Sequence, residues 1–307
     1  MHEVNQVRIR VPASTGNLGS GFDCVGLALD LCNRILAERT TGSGWEIEVL
    51  GEGAGRIPCD ETNLTVRAMS RFFQQYGERI DGVRLVLENH IPLRKGLGSS
   101  AAAFVGGLMV AASLSGKRVS KRAMLDLAVG MEGHPDNVAA TLLGGVVVAS
   151  GSNGRTEAIR LDPPDGMKAV VAVPDFEWPT SKAREALPKQ VSFADAVYNA
   201  GHSALLAASL AVGDRRVLSE AMCDRLHQPY REPFIPGMQS VFRAALDAGA
   251  SGVAISGAGP SLVALVWERF EAVASTMKAA WSAFEVDSES LILEPCPNGA
   301  TVETSLE

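Results

Sequence analysis

The segment Ile91-Pro-Leu-Arg-Lys-Gly-Leu-Gly-Ser-Ser-Ala-Ala-Ala103 leaves little choice of local structure. Upstream, Val83 to Leu87 alternates apolar and polar residues and predicts a strand. Downstream, Ala101 to Leu114 is a run of small and apolar residues that predicts a helix. A strand, a glycine loop and a helix start are the ingredients of a phosphate site. The first N–H groups of the helix lack acceptors, and the helix dipole favours an anion there. Gly96 and Gly98 allow positive φ and close approach of the backbone to a ligand. Ser99 and Ser100 supply hydroxyls for a cap, a phosphate or a cation. The same letters also fit a plain strand-to-helix turn with a serine cap. The spacing matches neither G-x-x-x-x-G-K-[ST] nor G-x-G-x-x-G, so the loop is not one of the two common nucleotide fingerprints.

At 307 residues the chain is long enough for two domains with proper cores. The expected joint is Leu161-Asp-Pro-Pro-Asp-Gly166, a proline–glycine cluster, which places the domains at 1–162 and 163–307. Before it, strands are predicted at Val7–Val11, Arg34–Arg39, Trp45–Leu50 and Gly145–Ala149. Thr40-Thr-Gly-Ser-Gly44 predicts a hairpin between the second and third. Helices are predicted from Asn63 to Tyr76, from Ser120 to Glu132 and from Pro135 to Leu143. After the joint, strands at Lys168–Val173, Val253–Ile255, Leu262–Val266 and Ser290–Leu293 interleave with helices at Ala194–Val212, Gln239–Ala248 and Glu271–Phe284. That order suits a ferredoxin-like layer. Gly299 to Glu307 is expected to be a loose tail.

Net charge is −7 with no cluster of Lys or Arg, so no nucleic-acid partner is expected. No apolar run has transmembrane length, so no membrane partner is expected either, and Met1 to Gln6 lacks a signal-peptide pattern. Five scattered cysteines form no C-x-x-C pair, which fits a reduced, cytoplasmic protein without a disulfide framework.

Four further segments carry candidate chemistry. Val11 to Asp23 is too rich in Gly and Ser for a core element and brings one amide, Asn17, and one carboxylate, Asp23. Both could instead bond their own backbone in a turn. In Met131-Glu-Gly-His-Pro-Asp-Asn137, Glu132 ends a predicted helix, where the dipole disfavours negative charge. With Ser100 it would make a magnesium-like oxygen set if the end of one helix meets the start of the other. A solvated glutamate is the plain alternative. Arg184 and Arg231 are candidates for fork-like recognition of a carboxylate, or surface arginines in weak ion pairs. Gly257-Ala-Gly-Pro-Ser261 is either a hairpin turn or a glycine wall against the phosphate loop.

Three of these segments together resemble the GHMP small-molecule kinase superfamily: Pro12 to Asp23, ending in L-G-x-G-F-D; P-x-x-x-G-L-G-S-S-A-A from Pro92; and G-x-G-P-S from Gly257. Asn17 to Asp23, Glu132 to Asn137, Thr180 with Ala183 to Pro188, and Arg231 resemble the branch that acts on L-homoserine. One departure is Ser20, where that branch usually has proline. The resemblance implies an α+β, two-domain GHMP kinase architecture, with a left-handed βαβ unit in the N-terminal, ATP-binding domain and a ferredoxin-like C-terminal domain. It implies transfer of a phosphoryl group from ATP to the hydroxyl of L-homoserine, and a homodimer. It places Asn63, Pro92, Lys95, Gly96, Leu97, Gly98, Ser99, Ser100 and Ala101 at ATP, with Asn63 at the adenine, where an ordinary N-cap is its alternative. By the same resemblance Ser100 and Glu132 would hold Mg2+ and Arg184 and Arg231 would clamp the substrate carboxylate. Asn17, Asp23, His134, Asn137, Thr180 and Gly257 would line the substrate pocket, and Asp23, Ser100 and Glu132 would form the catalytic set. A mevalonate or sugar kinase of the same fold, and a non-catalytic ligand-binding member, are the rival readings.

Overall fold

The structure, a computed structural model, describes residues 5–78 and 81–303. The first strand, β1 (Gln6–Thr15), alternates exposed and buried residues as far as Val11 and is buried beyond it. Its end therefore carries the following loop into the interior. β2 (Val25–Thr40) is much longer than the predicted Arg34–Arg39. Its register with β1 shifts between Pro12 and Ala13, where proline offers no N–H to the ladder. β3 (Gly44–Gly51), α1 (Leu64–Tyr76) and β4 (Gly82–Asn89) follow. The predicted hairpin across Thr40–Gly44 does not form. β4 inserts between β2 and β3, antiparallel to the first and parallel to the second. The turn residues reverse the chain, but β3 pairs with a strand supplied later through α1.

Three helices then lie in series: α2 (Ser99–Leu114), α3 (Lys121–Glu132) and α4 (Asp136–Leu143). β5 (Val146–Ser152) pairs with the first part of β2, and β6 (Arg155–Leu161) pairs with β5. β6 went unanticipated because its charged residues and the exposed Ile159 mask the alternation. α2 packs on β1, α1 and α4, and is buried on nearly every side. Its Leu108 shares the first core with Phe72 and Met69 of α1, Ile9 of β1 and Leu85 of β4.

The second layer begins at β7 (Lys168–Pro174). Short helices α5 (Thr180–Glu185), α7 (Leu218–Ala221) and α8 (Gln228–Arg231) flank the long α6 (Phe193–Val212). Then come α9 (Met238–Ala248), β8 (Gly252–Ile255), β9 (Leu262–Val266), α10 (Phe270–Ser282) and β10 (Ser288–Leu293). The sheet order is β10-β7-β9-β8, antiparallel throughout, which is the ferredoxin-like arrangement. Trp281 fills its core with no exposed surface and donates its indole N–H to Pro236 O at 2.9 Å. Trp281→Ala is expected to cost about 4 kcal/mol in a urea melt, as lost burial plus a cavity.

The expected loose tail is ordered over its first part. β11 (Thr301–Glu303) pairs with β1, and Ala300 N–H bonds Thr141 O at 2.8 Å. The chain thus returns to the first sheet after completing the second. Met1–Val4 and Thr304–Glu307, parts of the signal-peptide and tail expectations, lie outside the described residues.

Candidate active site

The glycine loop is launched by Asn33 on β2. Its side-chain oxygen accepts the N–H groups of His90 and Ile91 at 2.8 and 3.0 Å and ends β4 cleanly. α2 opens without a side-chain cap. Its first backbone bond is Ala102 N–H to Gly98 O, so the N–H groups of Ser99, Ser100 and Ala101 have no helical acceptor. That is the anion-favouring end the sequence pointed to. Gly98 has φ +72°, and a Cβ there would stand 2.2 Å from Ser14 Oγ. Gly96 has φ +78°, and its Cβ would stand 2.0 Å from Ser256 O. Gly98→Ala is therefore expected to raise the KM for ATP by about five- to a hundredfold, since left-handed backbone and steric overlap together cost about 1–3 kcal/mol. Steady-state kinetics at saturating second substrate checks this.

Three loops interlock here. Gly257 N–H bonds Gly16 O (2.9 Å), Ser256 Oγ bonds Gly96 O (2.7 Å), and Ser14 N–H bonds Leu97 O (3.1 Å). Gly257–Ser261 is both the β8–β9 turn and the wall behind the phosphate loop. Between the loops lies a cavity of about 400 Å³, in the range of small-molecule sites. Every predicted site residue lines it except Asp23, Lys95 and Ala101. Lys95 turns the other way, its ammonium donating to Pro174 O and Phe176 O, both at 2.7 Å. It ties the loop to the second sheet and is not directed at the cavity. Ala101 buries its methyl in the core and offers only backbone. Arg56, outside every motif, and Arg94, at an unspecified position of the glycine-loop motif, stand on the cavity wall and share Glu177 at 2.6 and 3.5 Å.

The end of α3 does meet the start of α2: Ser100 Oγ donates to Glu132 Oε2 at 2.5 Å. Burial pushes the Glu132 carboxyl above its ordinary range, against the Ser100 hydrogen bond and the charge of His134. His134 Nδ1 stands 2.6 Å from Asp136 Oδ1 and its Nε2 3.7 Å from Glu132. Burial disfavours the imidazolium, but Asp136 and Glu132 outweigh it and raise the ring's pKa. Asp136 is fully buried, which opposes ionisation, yet its His134 partner and backbone N–H bonds hold its pKa low. It also accepts Asn17 N–H at 3.0 Å. The sequence reading missed Asp136 because an acidic residue in a first helical turn already has an explanation in the dipole.

Asn63 caps α1, accepting from Thr65 N–H at 2.9 Å and donating to Pro58 O at 2.8 Å, while lining the cavity. Asn17 and Asp23 both have φ +54°. The Asn17 amide accepts Asp23 N–H (2.8 Å) and donates to Gly257 O (2.9 Å), so it pins the loop as a turn does and also lines the cavity. Ser14 Oγ donates to Asn137 Oδ1 at 3.0 Å. Ser20, at the position of the family's usual proline, donates to Ala221 O at 2.7 Å, a tether proline could not make. Asp23 is held bidentately by Arg184 at 2.6 and 3.2 Å. Arg231 is 1% exposed, and burial beside Arg184 lowers its guanidinium to about 10.

Two side-chain sets could hold a divalent cation. Asp23, His134 and Asp136 bring two carboxylate oxygens and a ring nitrogen within 4.8 Å of one another, but Arg184 already engages Asp23 and His134 already engages Asp136. Ser100 and Glu132 face the open helix end where phosphate oxygens would complete a hard-cation shell, and they fit Mg2+ better.

Sequence comparison gives the fold and cleft their class. Residues 63–145 match the model for the GHMP kinases N terminal domain, and residues 205–283 the model for GHMP kinases C terminal. The chain belongs to the GHMP kinases. Within them it belongs to the homoserine kinase family. A homoserine kinase of Microchaete diplosiphon is 43% identical over 297 residues, covering 96% of this chain and 97% of that one. One from Synechococcus sp. is 44% identical over 305 residues, covering 98% and 99%. The crystal structure of homoserine kinase from Cytophaga hutchinsonii superposes with a TM-score of 0.90 at 31% identity, covering 99% of each chain.

Proposed function

We propose that this protein transfers the γ-phosphoryl group of ATP to the side-chain hydroxyl of L-homoserine, giving O-phospho-L-homoserine and ADP in threonine biosynthesis. The observation that carries the reading is the uncapped N-terminus of α2 sharing one cavity with the Ser100–Glu132 pair and with Arg184 and Arg231. Phosphates take the free N–H groups, and a zwitterion takes the arginine side. Ser100 and Glu132 would hold Mg2+, which when bound would supply charge neutralisation at the transferred phosphoryl group. Asn63, with one amide N–H beyond its capping bonds, contacts adenine.

The Arg184–Asp23 pair suggests how the amino acid enters. The substrate carboxylate replaces Asp23 as partner of Arg184, and the released Asp23 receives the substrate ammonium. One ion pair becomes two without leaving a buried charge unpaired. Asn17, His134, Asn137, Thr180 and Gly257 close around the amino group and hydroxyl, orienting the hydroxyl for in-line attack. Asp23 acts first as a substrate ligand. Mevalonate and sugars lack the ammonium and would leave Asp23 without its new partner.

The reading includes a homodimer, supported by the apolar face of α6, where Phe193 is 86% exposed beside Val197, and a cytoplasmic location, supported by five free thiols. No helix among the described residues is long and apolar enough to cross a membrane. The test is ADP release from ATP and Mg2+ with L-homoserine, mevalonate, galactose and L-serine in parallel. Turnover confined to homoserine is expected. Turnover with mevalonate or galactose in its place would overturn the zwitterion argument.

A further inference from the structure

His227 is a fully buried histidine that nothing in the phosphoryl-transfer scheme uses. Its Nε2 stands 2.8 Å from Gly19 O. A carbonyl only accepts, so Nε2 carries the hydrogen and Nδ1 presents a lone pair. Arg231 Nη1 donates to that lone pair at 3.0 Å, and its second hydrogen reaches Gly257 O at 3.1 Å. Arg231 Nε reaches Ala183 O at 3.4 Å. Among the described residues Nη2 makes no protein hydrogen bond, and Arg231 lines the cavity. The guanidinium is planar, so fixing two of its edges fixes the direction of the third.

The ring itself is held from two sides. Asp224, which accepts the N–H groups of Leu226, His227 and Gln228 at 3.0, 2.9 and 2.7 Å, fixes the backbone at residue 227. Phe22 stacks on the imidazole, with ring centres 5.1 Å apart and planes 19° apart, and lies 5.5 Å from the Arg231 guanidinium carbon. His227 thereby joins the loop before Asp23 to the arginine across the pocket. Burial lowers its pKa to about 4, which keeps the ring an acceptor.

We propose that His227 is a positioning residue for substrate recognition: as a neutral acceptor it aims the free edge of Arg231 at the substrate carboxylate and so sets the preference for an amino-acid substrate. The inference rests on the reading of Arg231 as a carboxylate ligand. A histidine that merely filled the core would not commit both ring nitrogens to a substrate loop and a substrate-facing arginine.

The test compares His227→Leu, His227→Gln, Arg231→Gln and the His227→Leu/Arg231→Gln double variant in steady-state kinetics. His227→Leu is expected to raise the KM for homoserine about tenfold or more, because a hydrogen bond to a charged group is lost, with kcat and the KM for ATP within about twofold. His227→Gln, whose amide can accept from Arg231 and donate to Gly19, should restore most of that loss. The double variant should be no worse than Arg231→Gln, since both changes remove one interaction. If Arg231→Gln raises the KM but His227→Leu does not, the positioning role is wrong and the carboxylate reading stands. An unchanged KM in Arg231→Gln would overturn both. Equal losses in kcat and both KM values, unrescued by glutamine, would make His227 a packing residue only. Nitrogen-15 NMR of the unsubstituted protein adds a test independent of folding: the His227 ring should be neutral with hydrogen on Nε2 at pH 7, and hydrogen on Nδ1 overturns the proposal.

Discussion

Glu132→Gln is expected to lower kcat by about a thousandfold, on the order of 4 kcal/mol of transition-state stabilisation. Glutamine keeps the volume and can still accept from Ser100, so what disappears is one negative charge at the proposed cation site. The Mg2+ concentration for half-maximal rate should rise in parallel. Folding stability should move the other way. Burial raises the Glu132 pKa from its ordinary 4.5, so ionisation is less favourable in the folded than in the unfolded protein. The wild-type protein therefore loses stability as pH rises through the raised value, whereas the glutamine variant does not. At pH 7 the variant should melt at the same temperature or higher, and below pH about 4 the difference should vanish because both states are protonated. Calorimetry at the two pH values checks the sign. A loss in kcat of less than about tenfold would remove Glu132 from the cation site.

Arg184→Ala is expected to raise the KM for homoserine about a hundredfold, the worth of a bidentate charge-assisted pair, with little change in the KM for ATP. The effect has two sources. The substrate carboxylate loses a fork, and Asp23 loses the partner that holds it bidentately before substrate enters. Asp23→Asn separates them. It leaves Arg184 free for the carboxylate but gives the substrate ammonium no anion, so the KM for homoserine should rise while the affinity for 4-hydroxybutyrate, which lacks the ammonium, should not fall. Initial-rate kinetics with 4-hydroxybutyrate as a competitor distinguishes the two variants, since Arg184→Ala should weaken both. An unchanged KM in Arg184→Ala would undercut the ion-pair exchange.

Local signals carried much of the molecule. The Gly96–Ser100 loop, the Asn63 and Ser120 caps, the Gly77 and Gly133 helix ends and the second-layer strands could all be read from neighbouring residues. Each depends on backbone groups within a few positions, where side-chain chemistry and helical or strand period act directly. The hairpin at Thr40–Gly44 and the tail after Gly299 misled because pairing partners are chosen at long range. β3 waits for β4, and β11 crosses back to β1. Lys95 looked like a phosphate ligand by its place in the loop, but the carbonyls of Pro174, at the end of β7, and of Phe176, just past it, hold its ammonium instead.

Most of the longer elements, the uncapped helix start after the glycine loop and the set of residues available for chemistry were written in the chain itself, since spacing along a backbone controls which groups a helix end or a strand face can present. The partners of those groups were decided only by packing. Ser100 meets Glu132, Arg184 meets Asp23, and His227 meets Arg231 and Gly19 because the helices and loops that carry them are pressed together by burial of apolar surface elsewhere. That driving force has no direction of its own. The hydrogen-bond geometry that turns proximity into a site exists only once the tertiary structure has brought distant segments within a few ångströms.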